Sequence, residues 1–267
     1  MTENNNRPVR NLIKDCLGFA VSNVNSQCEF SKSVFIIAHM RCGSTALSNV
    51  LINHPSISGF GEAHIEYGSR SKLGNLVVRQ IKEKSWKYKA DYLFDKILHS
   101  SYDKNVCEDF YNSKAIFLAR EPEASILSIR NLFERINSKD FCTDQLAAEY
   151  YIERVSNIIK TWHCFGARNR LGLTHSDLVS NPDVQLHKIS TFIGLSPPLE
   201  NKYESHKAST KEGAGDPLSS DKFNKILADG DGTSLSKTRD LEITEEMHEK
   251  IQSVYGKFTR IIHDNPL

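Results

Sequence analysis

Apolar and polar residues alternate along this chain in two rhythms, and each rhythm implies a different element. Unbroken apolar runs at 34–38 (VFIIA) and 115–119 (AIFLA) predict strands buried on both faces. LGLTH at 171–175 predicts another strand, and residues 89–94 one more. Elsewhere apolar residues recur every three or four positions, the spacing of a helix with one buried face. One such helix covers about 44–53 and stops at His54-Pro55, because proline disfavours helix in the residue before it. Others cover about 72–84, 123–136 (Ile126, Ile129, Phe133, Ile136), 145–168 (Ala148, Tyr151, Val155, Ile158, Trp162, Phe165) and 243–262 (Ile243, Met247, Ile251, Val254, Phe258, Ile261). Asn181-Pro182 reads as the cap and first turn of a helix reaching about 193.

Three stretches lack these rhythms. Residues 1–32 read as a polar extension with one short helix over 7–20. Residues 56–71, with three glycines, read as loop. Residues 205–240, rich in Gly, Ser, Asp and Lys, read as a mobile loop region, since a run this long without pattern is usually functional or mobile. Strands alternating with helices predict a single α/β domain over 33–267, with a central, mainly parallel sheet flanked by helices. Such sheets bind ligands beyond their strand carboxyl ends, where the strand order reverses.

Composition narrows the functional classes. The chain has 267 residues, of which 39% are hydrophobic and 25% charged, ordinary values for a globular protein. A formal net charge of +1 gives no overall field for nucleic acid or a membrane surface, but leaves room for a local basic pocket. No run approaches the roughly 20 apolar residues of a membrane span. The opening MTENNNRPVRNLIKD lacks the apolar stretch of a signal peptide. Cys16, Cys28, Cys42, Cys107, Cys142 and Cys164 are scattered, with no C-x-x-C pair and no nearby histidine cluster. The expectation is a reduced, cytoplasmic chain without a metal site.

Two turns carry the candidate chemistry. The first, H-M-R-C-G-S-T at 39–45, joins an apolar strand to a helix. Backbone N–H groups of such a turn converge into an anion-binding nest, and the helix dipole adds to it. Gly43 permits close approach or a positive φ. Ser44 and Thr45 add hydroxyls, and Arg41 adds a planar cation suited to phosphate or sulfate. The second turn reads AREPEASILS at 119–128. Arg120 follows a strand, and Ser128 lies eight residues later, on the second turn of a helix that begins near Glu123. Arginine and serine there can grip one phosphate together. Alone, each turn also reads as an ordinary capped strand-to-helix connection.

In this order and spacing the two turns resemble those of the sulfotransferase superfamily, which uses 3′-phosphoadenosine 5′-phosphosulfate (PAPS). Arg41 to Thr45 match its first motif, a strand followed by R-S-G-[ST]-[ST], with Cys42 in place of serine. Arg120 and Ser128 match the second, a strand ending in R-[DN]-P with serine eight residues on. Glu121 replaces the usual Asp or Asn. HPSISGFGE at 54–62, FDKILHS at 94–100, THSDLVSNP at 174–182 with ISTFIGL at 189–195, and KEGAGDP at 211–217 resemble further family stretches. The resemblance covers about residues 33–218.

The resemblance implies a P-loop nucleotide-kinase-like sulfotransferase architecture that needs no metal. It implies that Arg41, Cys42, Gly43, Ser44 and Thr45 hold the 5′-phosphosulfate. Arg120 and Ser128 would hold the 3′-phosphate, with Lys211, Gly213 and Gly215 closing over it. Lys96, 24 residues before Arg120, would stand with Arg41 beside the transferred group. Two residues compete as the base, Glu62 after His54-Pro55 and His99 after Lys96. His64, Glu66, Tyr67 and Arg70 are candidate acceptor-pocket residues. The acceptor would be a small molecule, a carbohydrate or a lipid-linked alcohol. Two rivals remain at this level, a non-catalytic nucleotide-binding module of the same fold and a P-loop phosphotransferase. The latter requires a lysine after Gly43 and a magnesium-binding aspartate at a second strand end.

Overall fold

Every strand that the apolar runs predict is present, and all pair in parallel. The computed structural model describes residues 7–205, 223–228 and 240–264. Among these, five strands form one sheet: β1 (Ser33–Ala38), β2 (Ile57–Ser58), β3 (Tyr92–Ile97), β4 (Lys114–Ala119) and β5 (Arg170–Thr174). The order is β2-β3-β1-β4-β5, so β1 is central and the chain crosses from one side of it to the other between β3 and β4. In register, Ile36 of β1 lies opposite Lys96 of β3 and Ile116 of β4. The carboxyl ends of β1, β3 and β4 therefore meet around one crevice, the switch point where sheets of this kind bind ligands.

Among the described residues, eight α-helices flank or cap the sheet: α1 (Arg7–Val24), α2 (Ser44–Asn53), α3 (Ser71–Lys82), α4 (Pro122–Arg135), α5 (Asp144–Cys164), α6 (His175–Ser180), α7 (Pro182–Ile193) and α8 (Glu245–His263). β1 is buried along its whole length, as expected for a central strand covered on both faces. Local signals account for several helix starts. Asn181 Oδ1 accepts the N–H of Val184 ahead of Pro182, Thr143 caps α5, and Thr174 and Asp177 form a reciprocal capping box on α6. The stripe on α5 faces the core, with Ala148, Tyr151, Val155, Ile158 and Trp162 all buried. The exposed side of α1 carries Leu12, Ile13 and Phe19. Its inner side meets α3 through glycines: a Cβ on Gly74 would fall 2.0 Å from the carbonyl oxygen of Gly18.

The structure shifts some expected boundaries. The strand expected over 89–94 is Tyr92–Ile97, because its outer end carries the buried polar residues Asp95 and Lys96 rather than further apolar ones. Helix α5 ends at Cys164, four residues early, where Phe165 is extended ahead of Gly166. His175 does not close β5 but opens the six-residue α6. Within the expected loop 56–71 lies the two-residue strand β2. On α8 it is Ile262, not Ile261, that is buried. Most of the 205–240 segment, with Lys211, Gly213 and Gly215, lies outside the described residues.

Candidate active site

The first turn leaves β1 through a short stretch of left-handed backbone. Arg41 has φ 64° and Gly43 has φ 87°. An arginine in that region is strained, and such strain concentrates at functional turns. Glycine is required at 43 twice over: by its φ, and because a Cβ there would lie 2.9 Å from Cδ2 of His175. Gly43 precedes α2 and offers it no side-chain cap, so the helix presents its positive end and its first N–H groups to the crevice. Cys42 is fully buried, and burial pushes its thiol up, so it packs rather than reacts.

Lys96, at the end of β3, points toward this turn. Its Nζ donates to Thr45 Oγ1 at 3.1 Å and pairs with Glu62 Oε1 at 3.3 Å. Both charged residues are buried, the lysine at 2% exposure and the glutamate at 6%. The loop that delivers Glu62 is held tightly from below. The N–H of Ala63 donates to Asp95 Oδ1 at 2.8 Å, and the N–H of Lys96 donates to the same oxygen at 2.8 Å. Tyr67 donates its hydroxyl to Asp95 Oδ2 at 2.7 Å, and Arg79 donates to the carbonyl of Ala63. Burial outweighs these donors and raises the Asp95 carboxyl to about 6. Tyr67 is fully buried and Arg70 donates to the carbonyl of Cys28, so these two brace the loop rather than line a pocket.

His99 follows β3 and is half-buried between two rings, with centroids 6.4 Å from Tyr102 and 5.9 Å from Tyr150. Burial lowers its pKa, and the charge of Glu62 pulls it partly back up, which places the two base candidates within electrostatic reach of each other.

At the second turn, Arg120 follows β4 and pairs through Nε with Glu121 at 3.2 Å. Ser128 on α4 accepts a hydrogen bond from Nε of Arg41 at 2.9 Å. Sequence spacing grouped Ser128 with Arg120; the fold joins it to the arginine of the first turn. No group of His, Cys, Asp and Glu among the described residues has a metal-holding arrangement.

Sequence reasoning did not single out His39, Tyr150, Arg154 or His175 as site residues. Arg154 had left a signal, a charge on the apolar stripe three residues after Tyr151 and four before Ile158. It is fully buried in the fold. His175 lies against Gly43, at the start of the helix after β5.

The crevice lies at the carboxyl ends of a parallel sheet, with a strand-to-helix turn after the central strand and a basic residue at each neighbouring strand end, the layout of an α/β protein with its site at the switch point. The family model described as "Sulfotransferase domain" matches residues 31–261, and the chain belongs to that family. Its fold is similar to the sulfotransferase domain from the curacin biosynthetic pathway (TM-score 0.56, 17% identity, covering 85% of this chain and 96% of that one). It is also similar to the sulfotransferase domain of the Synechococcus PCC 7002 olefin synthase (TM-score 0.57, 20% identity, 85% and 94% coverage). A sulfotransferase from Alicyclobacillus acidocaldarius aligns with TM-score 0.53 at 13% identity, covering 88% of this chain and 96% of that one. A mouse sulfotransferase complexed with PAP aligns with TM-score 0.50 at 13% identity, covering 91% and 89%. At these identities the likeness is one of fold. No curated protein matches the chain in sequence.

Proposed function

We propose that this chain transfers the sulfuryl group of PAPS to a hydroxyl acceptor by direct in-line displacement. One observation carries the reading: a buried ammonium, Lys96, is shared between the Glu62 carboxylate and the Thr45 hydroxyl, beside an uncapped helix start. A cation, a carboxylate and a set of anion-binding amides thus face one crevice.

The chemistry of this donor set fits the nucleotide. Arg41, the amides of Cys42 to Thr45 and Lys96 would hold the 5′-phosphosulfate. Arg120 and Ser128 would hold the 3′-phosphate, with Lys211, Gly213 and Gly215 as further candidates. When bound, PAPS supplies an activated sulfuryl group whose departure leaves negative charge on the 5′-phosphate oxygen. Lys96 and Arg41 set fixed positive charge where that charge grows, which stabilises the transition state more than the ground state. Glu62 takes the proton of the acceptor hydroxyl. Its carboxylate is held close to Lys96 and kept from water by the clamped loop, which preserves its orientation. His99 is the competing candidate for the same role. No metal is needed for these roles.

The acceptor is a small molecule, a carbohydrate or a lipid-linked alcohol. No helix among the described residues is long and apolar enough to cross a membrane. All six cysteines are free, which fits a reducing, cytoplasmic setting.

The test is release of adenosine 3′,5′-bisphosphate from PAPS across a panel of phenols, sugars and long-chain alcohols. Acceptor-dependent release supports the reading. Tight PAPS binding with no release for any acceptor class would instead indicate a binding module.

A further inference from the structure

Helix α5 reaches all three strand ends that carry the site. Arg154 donates through Nε to the carbonyl of Ala38 at the end of β1, at 2.9 Å. Its Nη2 donates to the carbonyl of Ile97 at the end of β3, at 2.9 Å, while Nη1 pairs with Asp103 at 2.7 Å. Tyr150 repeats the link one step further out: its hydroxyl accepts the N–H of Met40 at 2.9 Å and donates to the carbonyl of Leu98 at 2.8 Å. Tyr151 donates to the carbonyl of Arg120 at 2.7 Å and so reaches the end of β4.

His39 closes this bracing between the two phosphate turns. Its Nδ1 lies 2.7 Å from the carbonyl oxygen of Met40, and its Nε2 lies 3.0 Å from the backbone nitrogen of Arg120. A carbonyl only accepts and a backbone amide only donates, so the ring is neutral with its proton on Nδ1. The imidazole stands edge-on to Tyr151, with centroids 4.9 Å apart, and has no exposed surface. Burial pushes its pKa down to about 3, so this tautomer holds across the physiological range.

We propose that His39 is a positioning residue, a neutral strut that sets the spacing between the first turn at Met40-Arg41 and the second at Arg120, with Tyr151 as its support. This inference rests on the functional reading above, in which the two turns grip the two ends of one nucleotide. His39 acts through the backbone of Met40 and Arg120. A ligand with phosphates at both ends depends on that spacing. A ligand with only the 5′-phosphate does not.

The experiment is titration calorimetry of adenosine 3′,5′-bisphosphate and of adenosine 5′-monophosphate into the full chain, wild type, His39→Asn and Tyr151→Phe. Asparagine supplies a donor for the Met40 carbonyl but is too short to reach the amide of Arg120. The bisphosphate should lose about tenfold in affinity with His39→Asn, the worth of roughly one hydrogen bond, while the monophosphate changes by less than about twofold. Tyr151→Phe keeps the ring, removes one hydroxyl, and should move the same ratio in the same direction by less. If His39→Asn does not fold, the Tyr151→Phe ratio alone decides. A ratio unchanged in the folded variants, or equal weakening of both ligands, overturns the inference. A wild type that fails to prefer the bisphosphate overturns the functional reading and this inference together. A wild-type preference that both substitutions leave undiminished overturns this inference only.

Discussion

Lys96 and Glu62 are an ion pair at 3.3 Å, the lysine from strand β3 and the glutamate from the loop after β2, and the lysine also donates to Thr45 at 3.1 Å. Both are buried, the lysine at 2% exposure and the glutamate at 6%. Glu62→Gln should therefore leave bisphosphate binding intact and lower turnover by at least about a hundredfold, the usual worth of a general base. Near-normal turnover would remove Glu62 from the mechanism and move the role to His99. Lys96→Met should act on stability too, because it strands a buried carboxylate. A loss of about 3–5 kcal/mol in urea unfolding is the expected size.

A 2.9 Å hydrogen bond from Arg41 Nε to Ser128 Oγ ties the two turns together. Arg41→Lys keeps the charge but loses the planar fork and the Nε donor. Bisphosphate affinity should fall about tenfold by calorimetry, since a point charge does not replace bidentate recognition. Unchanged affinity would mean that Arg41 does not contact the nucleotide.

Gly43→Ala faces two separate penalties, a φ of 87° and a Cβ 2.9 Å from the ring of His175. The left-handed backbone alone costs about 1–2 kcal/mol. Adding His175→Ala should remove the contact but not the backbone cost, so the double variant recovers part of the lost melting temperature. Full recovery would show that φ contributes nothing.

Asp95 and His39 make opposite contributions to acid stability. The Asp95 carboxyl is raised from 3.8 to about 6, so between these values the native chain holds a proton that the unfolded chain releases, and its contribution is lost as pH rises. His39 is lowered from 6.5 to about 3, so there the unfolded chain holds a proton that the native chain refuses, and stability is lost as pH falls. Over the shared window of about pH 4 to 6 the two slopes oppose each other. Asp95→Asn removes only the first. Its unfolding free energy should drop more steeply with acid than that of the wild type, by up to about 1.4 kcal/mol per pH unit. Parallel urea curves for the two proteins across this window would refute the assignment.

The fold was legible wherever burial was uniform. VFIIA and AIFLA announced β1 and β4 because both strands are covered on each face. β3 was placed three residues early because Asp95 and Lys96, the residues that give it a role, interrupt its apolar run. Arg41 and Arg120 stood out by their position just past apolar runs. Lys96 and Glu62 entered only through family resemblance, since nothing local distinguishes a lysine inside a strand or a glutamate after glycines. The bracing by Tyr150, Tyr151 and Arg154 was hidden for a different reason. These side chains bond to main-chain atoms distant in sequence, and main-chain atoms carry no residue code to read. Arg154 alone gave a warning, as a charge where the stripe called for an apolar residue.

The position of α5 in the chain also orders the making of the site. Residues 33–97, which contain Arg41, Glu62 and Lys96, are synthesised before the second turn. Arg120 and Ser128 follow, and the helix whose side chains join all three strand ends comes after the strands it joins. A nascent chain that has not yet reached Arg154 has every strand of the crevice but no common brace across their ends. The three strand ends are thus joined only once α5 has been made.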